Sequence, residues 1–221
     1  MLWLLACATT VALLVIYLFV EDISGTTPTV ATPAALSSPA RLARVADAAS
    51  GLSYQLLPSP WRQGCPATLK TPAFSWSAGE DAVAGQVITG GSTIDWYGNA
   101  CSGQLQQQFR YSGTADLKPT AMNLVGALDP AYYSGLVHHR TIEHSSAMRV
   151  SGHQAWMVRF LMNYPDAAAE GLHWKTELGA VVVVDRGTKD VPAVFYVSVP
   201  ANLGTSKVTV LIDSLRLSPP P

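Results

Sequence analysis

Apolar and polar residues alternate with a period of two in four successive segments of the second half of the chain. These segments are 139–150, 154–164, 173–185 and 191–199, and turn-forming residues such as Ser151-Gly152-His153 separate them. Because successive side chains of a strand point to opposite faces of a sheet, this alternation predicts strands with one buried face. Short turns favour antiparallel neighbours, so we expect an antiparallel meander.

Apolar residues recur with helical spacing in three other segments. The strongest signal is at 116–128, where Asp116 can cap a helix and Asp129-Pro130 can end it. A second helix is predicted at 203–217, where it could cover the sheet, and a short entry helix is predicted at 40–49. The apolar stripes of the first two helices are Ala121, Leu124, Val125 and Leu128, and Val208, Leu211, Ile212 and Leu215.

The region between residues 50 and 115 has a weaker periodicity. We expect a first strand at 52–57 and one or two irregular strands at 72–93, with a turn at Gly90-Gly91. Taken with the meander and the helices, this order of elements predicts an α+β fold in which helices flank an antiparallel β-sheet.

The N-terminal residues 1–20 contain no charged side chain, and the run from 2 to 20 is almost wholly apolar. At about 1.5 Å per residue this run spans roughly 28 Å, which matches the hydrocarbon core of a bilayer. We therefore predict one transmembrane signal-anchor helix at 1–20 that contacts the lipid bilayer through residues 2–20. Residues 21–39, rich in Thr, Pro, Ala and Ser, are predicted to be a flexible linker, and residues 40–221 one extracytoplasmic domain.

The charges beside this predicted helix indicate its orientation. Glu21 and Asp22 follow it directly, and the first basic residue is Arg41. We expect a single-pass membrane protein whose C-terminal domain lies outside the cytoplasm. The chain has a net charge of −1 and a pI of about 6.5. It therefore lacks the basic character that nucleic-acid binding requires.

Cys65 and Cys101 are the only cysteines that follow the apolar run. An even pair is typical of a disulfide in an oxidising compartment, and closing this loop would stabilise the fold by roughly 3–4 kcal/mol in the chain-entropy description. We predict this disulfide. The alternative is a pair of buried thiols in a cytosolic domain.

Several segments of the domain resemble known proteins. SGHQAW at 151–156, AVVVVDRG at 180–187 and PAVFYVSVP at 192–200 resemble the Mog1/PsbP-like fold, an antiparallel sheet flanked by helices. DWYGNACSG at 95–103 looks like a segment of uncharacterised, membrane-tethered proteins of the bacterial cell envelope. The resemblance implies a binding or assembly role, because relatives of this fold act in that way, and it implies no particular ligand.

Large aromatic side chains cluster within and beside the segment between the two cysteines. Together with a nearby amide side chain they form a set suited to binding the edge of a glycan, a peptide or a lipid. The alternative is that these rings only pack the N-terminal part of the domain, because large aromatics also dominate cores. The candidate ligand-binding residues are Trp61, Trp76, Trp96, Tyr97 and Asn99.

Known catalytic patterns are weak in this chain. The segment from His139 to His144 has one residue more than the H-x-x-E-H zinc pattern, and no G-x-S-x-G, P-loop or C-x-x-C segment occurs. We expect no catalytic residue, no metal and no cofactor. The predicted function is a non-enzymatic binding or assembly module of the bacterial cell envelope, with an unknown protein, glycan or lipid partner. The alternative is an envelope hydrolase of unrecognised type.

Overall fold

The computed structural model of the chain describes residues 43–187 and 190–218. The predicted anchor at 1–20 and the predicted linker at 21–39 lie outside these residues. Within the described residues, no helix combines the length and the apolar character needed to cross a membrane.

The strands are β1 (Arg44–Ala46), β2 (Leu52–Gln55), β3 (Arg62–Gln63), β4 (Ala78–Thr89), β5 (Ser92–Gln104), β6 (His139–Val150), β7 (His153–Asn163), β8 (Thr176–Val184), β9 (Ala193–Pro200) and β10 (Arg216–Leu217), and the helices are α1 (Leu117–Leu128) and α2 (Ser206–Asp213).

Seven of these strands form one large sheet in the order β3-β4-β5-β9-β8-β7-β6. Strands β6, β7, β8 and β9 follow one another as antiparallel neighbours, which confirms the predicted meander. Strand β9 then pairs with β5, so it joins the meander to the hairpin of β4 and β5. The predicted α+β class, with helices on an antiparallel sheet, is thus confirmed for the described residues.

Helix α1 covers one face of the large sheet. Its stripe of Leu124, Val125 and Leu128 is buried in a core shared with β7 and β8, as the helical spacing predicts. The side chain of Asp116 does not cap this helix, because its carboxylate accepts a hydrogen bond from the hydroxyl of Ser112 instead (2.6 Å). Asp129-Pro130 does not end the helical path either, since it continues as one π turn, Asp129–Tyr133.

Helix α2 and a small sheet cover the opposite face. The small sheet has the order β1-β2-β10. Val208 and Leu211 of α2 pack with Leu52 and Tyr54 of β2 in a second core against the large sheet. The large sheet is therefore buried on both faces, and each face has its own core.

The predictions at the two ends of the domain need correction. The described part of 40–49 is not helical, because β1 pairs with β2 and buries Val45 opposite Tyr54. This pairing outweighs the helix propensity of the alanines. The helix predicted at 203–217 is shortened to α2, because its last residues pair with β2 as strand β10.

The region predicted as irregular strands at 72–93 contains β4, which forms a long hairpin with β5 that has one irregularity between Val83 and Gly85. Strands β4 and β5 pair over most of their length, and Gly90-Gly91 forms the predicted turn with positive φ angles of 55° and 79°. Glycine permits this conformation without a steric penalty. The second strand was missed because its polar and small residues give no clear alternation.

The predicted disulfide between Cys65 and Cys101 is present. The two Cα atoms lie 5.9 Å apart. Cys101 belongs to β5, and Cys65 lies in the irregular segment that follows β3. The bond therefore ties this irregular segment to the large sheet.

Candidate functional site

A cavity of about 460 Å³ lies beside β5, on the face of the sheet that carries α1; it is called the aromatic cavity below. Its volume is within the range of small-molecule sites, roughly 300–1,000 Å³. Its lining combines aromatic rings with two carboxylates and one amide, and it includes no lysine, arginine or histidine. The lining residues are Thr68, Leu69, Ile94, Asp95, Trp96, Tyr97, Asn99, Ala131, Tyr132, Tyr133, Glu177 and Tyr196.

The carboxyl group of Glu177 forms the floor of this cavity. The residue is 1% exposed, and four side chains donate hydrogen bonds to its two oxygens. Oε1 accepts from the hydroxyls of Tyr133 (2.9 Å) and Ser198, and Oε2 accepts from the indole of Trp96 (2.9 Å) and the hydroxyl of Tyr164 (3.0 Å). This arrangement suits the ionised carboxylate, which can only accept.

Burial and hydrogen bonding act in opposite directions on the pKa of Glu177. Burial raises it because the charged form loses hydration, whereas the four donated hydrogen bonds lower it. Burial has the larger effect, so the pKa lies above its ordinary value. Burial also raises the pKa of Tyr133 and Tyr164, which keeps their hydroxyls protonated and able to donate. No ion pair among the described residues includes Glu177.

Two tyrosines reach the cavity from the π turn that follows α1. The hydroxyl of Tyr133 lies 2.8 Å from that of Tyr196, which holds the turn against β9. The hydroxyl of Tyr132 donates to the carbonyl oxygen of Leu69 (2.6 Å) and accepts from the indole of Trp76 (2.9 Å). Single π turns in helices are frequent at functional sites. Here the π turn carries two consecutive aromatic side chains to one cavity.

Strand β5 supplies two further consecutive aromatic residues, Trp96 and Tyr97. The partner strand has a bulge opposite them, because Val83 pairs with Tyr97 whereas Gly85 pairs with Trp96. A bulge bends and twists the hairpin and redirects side chains. Trp96 and Tyr97 both line the cavity, although alternate residues of a regular strand point to opposite faces.

Asn99 completes the part of the cavity that β5 supplies. It is 4% exposed and lies opposite Ser198 in the pairing of β5 with β9. Its carbonyl oxygen Oδ1 is buried and has no hydrogen-bond partner among the described residues. Buried side-chain acceptors are usually satisfied, so this atom needs an explanation.

The structure brings three of the five predicted binding residues together. Trp96, Tyr97 and Asn99 all line the aromatic cavity. Trp76 lies behind its wall and stacks on the ring of Tyr196, with a centroid distance of 5.8 Å. Trp61 does not join this group, because it is buried in the core on the opposite face of the sheet.

Sequence reasoning missed Glu177 and the tyrosines. A usable signal for Glu177 existed, because it is the one charged residue of β8, which otherwise consists of apolar or small residues and a threonine. A buried strand holds a carboxyl group only where partners satisfy it. The tyrosines at 132–133 gave no such signal, because a π turn has no recognisable sequence pattern.

Ser198 and the histidines of the zinc-like segment do not meet at the cavity. Ser198 donates to Glu177, but it is fully buried and does not line the cavity. His139 and His144 are exposed on β6. In the described part of the chain, no three His, Cys, Asp or Glu side chains are grouped so that they could hold a metal ion.

A larger and more open depression of about 740 Å³ lies elsewhere, with Leu105, Tyr111 and Asp185 in its wall. Its rim includes Gly187 and Asp190, and the two residues between them lie outside the described residues. We therefore take the aromatic cavity, whose lining is fully described, as the candidate site.

The domain has a PsbP-like fold, as the comparison with solved structures shows. It is similar to cyanobacterial PsbP (CyanoP) from Synechocystis sp. PCC 6803, known from a solution structure, with a TM-score of 0.50 over 84% of this chain and 99% of that chain. The two sequences are 10% identical, so the likeness concerns the fold alone. No protein-family model matches this chain, and no curated protein matches it.

Proposed function

We propose that this chain is a membrane-anchored extracytoplasmic binding or assembly module of the bacterial cell envelope, and that its ligand occupies the aromatic cavity. The observation that carries this proposal is the cavity itself. It combines exposed ring surface, a buried carboxyl group and an unpartnered amide oxygen in a concave site of small-molecule size. Such a combination favours binding, because rings supply contact area and a few polar groups fix orientation.

The proposed location has separate support. The apolar run at 1–20 has the length of a membrane-spanning helix, and the lack of Lys and Arg between this run and Arg41 favours an external domain. The disulfide between Cys65 and Cys101 is the kind of bond that persists in oxidising compartments. A flexible linker at 21–39 would let the domain reach a partner at the envelope surface.

The second candidate function is an envelope hydrolase, which the pair of Ser198 and Glu177 favours. A serine nucleophile needs an adjacent base and access to substrate. Ser198 is fully buried, and it shares the carboxyl group with three other donors. We therefore assign this pair a structural role, and labelling with a fluorophosphonate probe tests it. Labelling of the wild type that disappears in Ser198→Ala would overturn the assignment.

A ligand screen tests the binding proposal. The full-length chain in phosphatidylglycerol nanodiscs is screened by saturation-transfer NMR against a library of small glycan, peptide and lipid fragments. Ala131→Phe fills the cavity, whereas Ala169→Phe adds the same ring at an exposed position outside the lining. We expect fragments that bind the wild type and Ala169→Phe but not Ala131→Phe. Binding that persists in Ala131→Phe, or no binding by any fragment, would contradict the proposal.

A further inference from the structure

The charged side chains that line the aromatic cavity are all of one sign, and Arg62, which interacts with Tyr97 of the lining, is paired with Asp81 (2.9 Å). The lining contains two carboxylates and no basic side chain. Asp95 is exposed at the rim, where it accepts a hydrogen bond from the amide of Gln86 (3.3 Å). Glu177 is buried at the floor, and none of the ion pairs among the described residues includes it. The two carboxyl groups of the lining would therefore repel an anionic ligand.

One buried acceptor at the cavity lacks a partner among the described residues, whereas two of the hydroxyl donors there are already engaged. The hydroxyl of Tyr133 is already engaged with Glu177, and the hydroxyl of Tyr132 donates to Leu69. Asn99 Oδ1, by contrast, is buried at the cavity and has no hydrogen-bond partner in the described part of the chain. A ligand that donates hydrogen bonds or carries positive charge would satisfy it.

The walls are rings whose faces attract cations. Five of the lining residues are aromatic, and the rings of Trp96 and Tyr133 are tilted by 51° with centroids 5.8 Å apart. The face of an aromatic ring carries a negative electrostatic potential, and cations are attracted when they lie within about 6 Å of the centroid. Cages of aromatic rings are the usual receptors for quaternary ammonium groups.

We propose that the aromatic cavity recognises an organic ammonium group, whose charge faces Glu177 and the aromatic rings. This inference rests on the proposed function of the cavity and names the chemical class of its ligand. The cavity is larger than an ammonium group alone, so the ligand also carries an apolar or aromatic substituent that fills the remaining volume. The ammonium group comes from a lipid headgroup or from a free small molecule.

A pair of isosteric probes tests the role of charge. Benzyltrimethylammonium and its neutral isostere neopentylbenzene are titrated, by calorimetry, into the full-length chain in phosphatidylglycerol nanodiscs. We expect the cation to bind at least about tenfold more tightly than the isostere. Equal affinity of both probes, with binding lost in Ala131→Phe, would overturn the ammonium assignment and leave the binding function in place. Binding of neither probe would also overturn the ammonium assignment, while the fragment screen decides the binding function independently.

Three variants locate the charge effect. Glu177→Gln removes the charge at the floor and should weaken the cation at least about tenfold, while the neutral isostere keeps its affinity. Asp95→Asn changes only the exposed rim and cannot disturb the core, so it remains informative if Glu177→Gln fails to fold. We expect a smaller loss there, and none for the matched control Asp166→Asn, which is exposed outside the lining. Unchanged cation affinity in Asp95→Asn and in a folded Glu177→Gln would overturn the inference.

The lipid composition of the nanodisc distinguishes the two sources of the ammonium group. Phosphatidylcholine carries a quaternary ammonium in its headgroup, whereas phosphatidylglycerol carries none. If the natural source is a headgroup, phosphatidylcholine competes and lowers the apparent affinity for benzyltrimethylammonium. An unchanged affinity supports a free small molecule as the source. Both results support ammonium recognition, because each requires that the cation binds.

Discussion

The indole Nε1 of Trp96 donates a hydrogen bond to Oε2 of Glu177 over 2.9 Å. Trp96 belongs to β5 and Glu177 to β8, and β9 lies between these two strands in the sheet. The contact therefore links the N-terminal hairpin to the C-terminal meander. It also fixes the wall of the aromatic cavity to its floor, so stability and site geometry depend on the same bond.

Trp96→Phe should lower the free energy of unfolding. The substitution keeps an aromatic ring but removes one of the four donors to a buried carboxyl group. Hydrogen bonds to charged groups contribute about 1.5–3 kcal/mol, so we expect a loss of that order in urea denaturation. The control is Trp156→Phe, which removes an indole hydrogen bond to the hydroxyl of Ser145 (2.9 Å) at a partly buried site. A loss no larger than in this control would show that the Trp96 bond is not important for stability.

Glu80→Gln should change how stability depends on pH. Glu80 is fully buried, and burial raises its pKa to about 7, although Oε2 accepts a hydrogen bond from the backbone of Leu57 (2.8 Å). Because the ordinary value is 4.5, the folded protein binds this proton more tightly than the unfolded chain. The stabilisation is complete below pH about 4.5 and is lost as the pH rises to about 7, by roughly 3 kcal/mol in total.

The measurement is the free energy of unfolding as a function of pH. Glu80→Gln should be more stable than the wild type at pH 8 and should have a flatter profile between pH 4.5 and 7. Some slope remains, because burial raises the pKa of Glu177 as well. The exposed substitution Glu143→Gln serves as the control and should keep the wild-type slope. An unchanged slope in Glu80→Gln would contradict this account.

Removal of the disulfide should destabilise the domain, first in the irregular segment near Cys65. The double substitution of Cys65 and Cys101 by serine opens the loop and should lower the free energy of unfolding by about 3–4 kcal/mol. Hydrogen exchange should show faster opening near Cys65 than in β7 to β9, which pair with a strand on both sides. The control is Cys7→Ser, which leaves the bond intact. Labelling of both cysteines by maleimide in the unreduced, unfolded chain would show that they are not bonded.

The full-length chain should fractionate with membranes and resist extraction by alkaline carbonate. The reason is the apolar run at 2–20, which is long enough to cross the hydrocarbon core. A charged side chain in the middle of this run, as in Val11→Arg or Leu13→Arg, should weaken insertion, because charge in the bilayer centre is costly. Recovery of the unprocessed wild type in the soluble fraction would contradict the anchor.

The fold could be predicted well wherever the alternation of residues matches burial. Strands β7 to β9 followed from the sequence pattern, and the run of valines at 181–184 is buried on both faces of the sheet, whereas β6 has only Val150 buried. Pairing between distant segments was less predictable. β10 pairs with β2 from opposite ends of the domain, and a two-residue strand carries no period. Helical spacing therefore remained the better interpretation of 203–217 from sequence alone.

The candidate site could be predicted only in part. Trp96, Tyr97 and Asn99 were found because they lie close together in the sequence. Glu177 and Tyr133 meet them through sheet order and a π turn, and neither feature is visible in local composition. Trp61 shows the converse. Its place in the sequence groups it with the other aromatic candidates, but its side chain is buried on the opposite face of the sheet.

The most direct test of the aromatic cavity as the binding site is fluorine NMR of the full-length chain labelled with 5-fluorotryptophan. The chain has six tryptophans, and each contributes its own fluorine signal. The variants Trp96→Phe and Trp61→Phe assign the two decisive signals. On titration with benzyltrimethylammonium and neopentylbenzene, the Trp96 signal should shift with saturation while that of Trp61, on the opposite face, stays unchanged. A shift at Trp61 with none at Trp96 would contradict the cavity as the binding site, and no shift at Trp96 with either probe would contradict ammonium recognition.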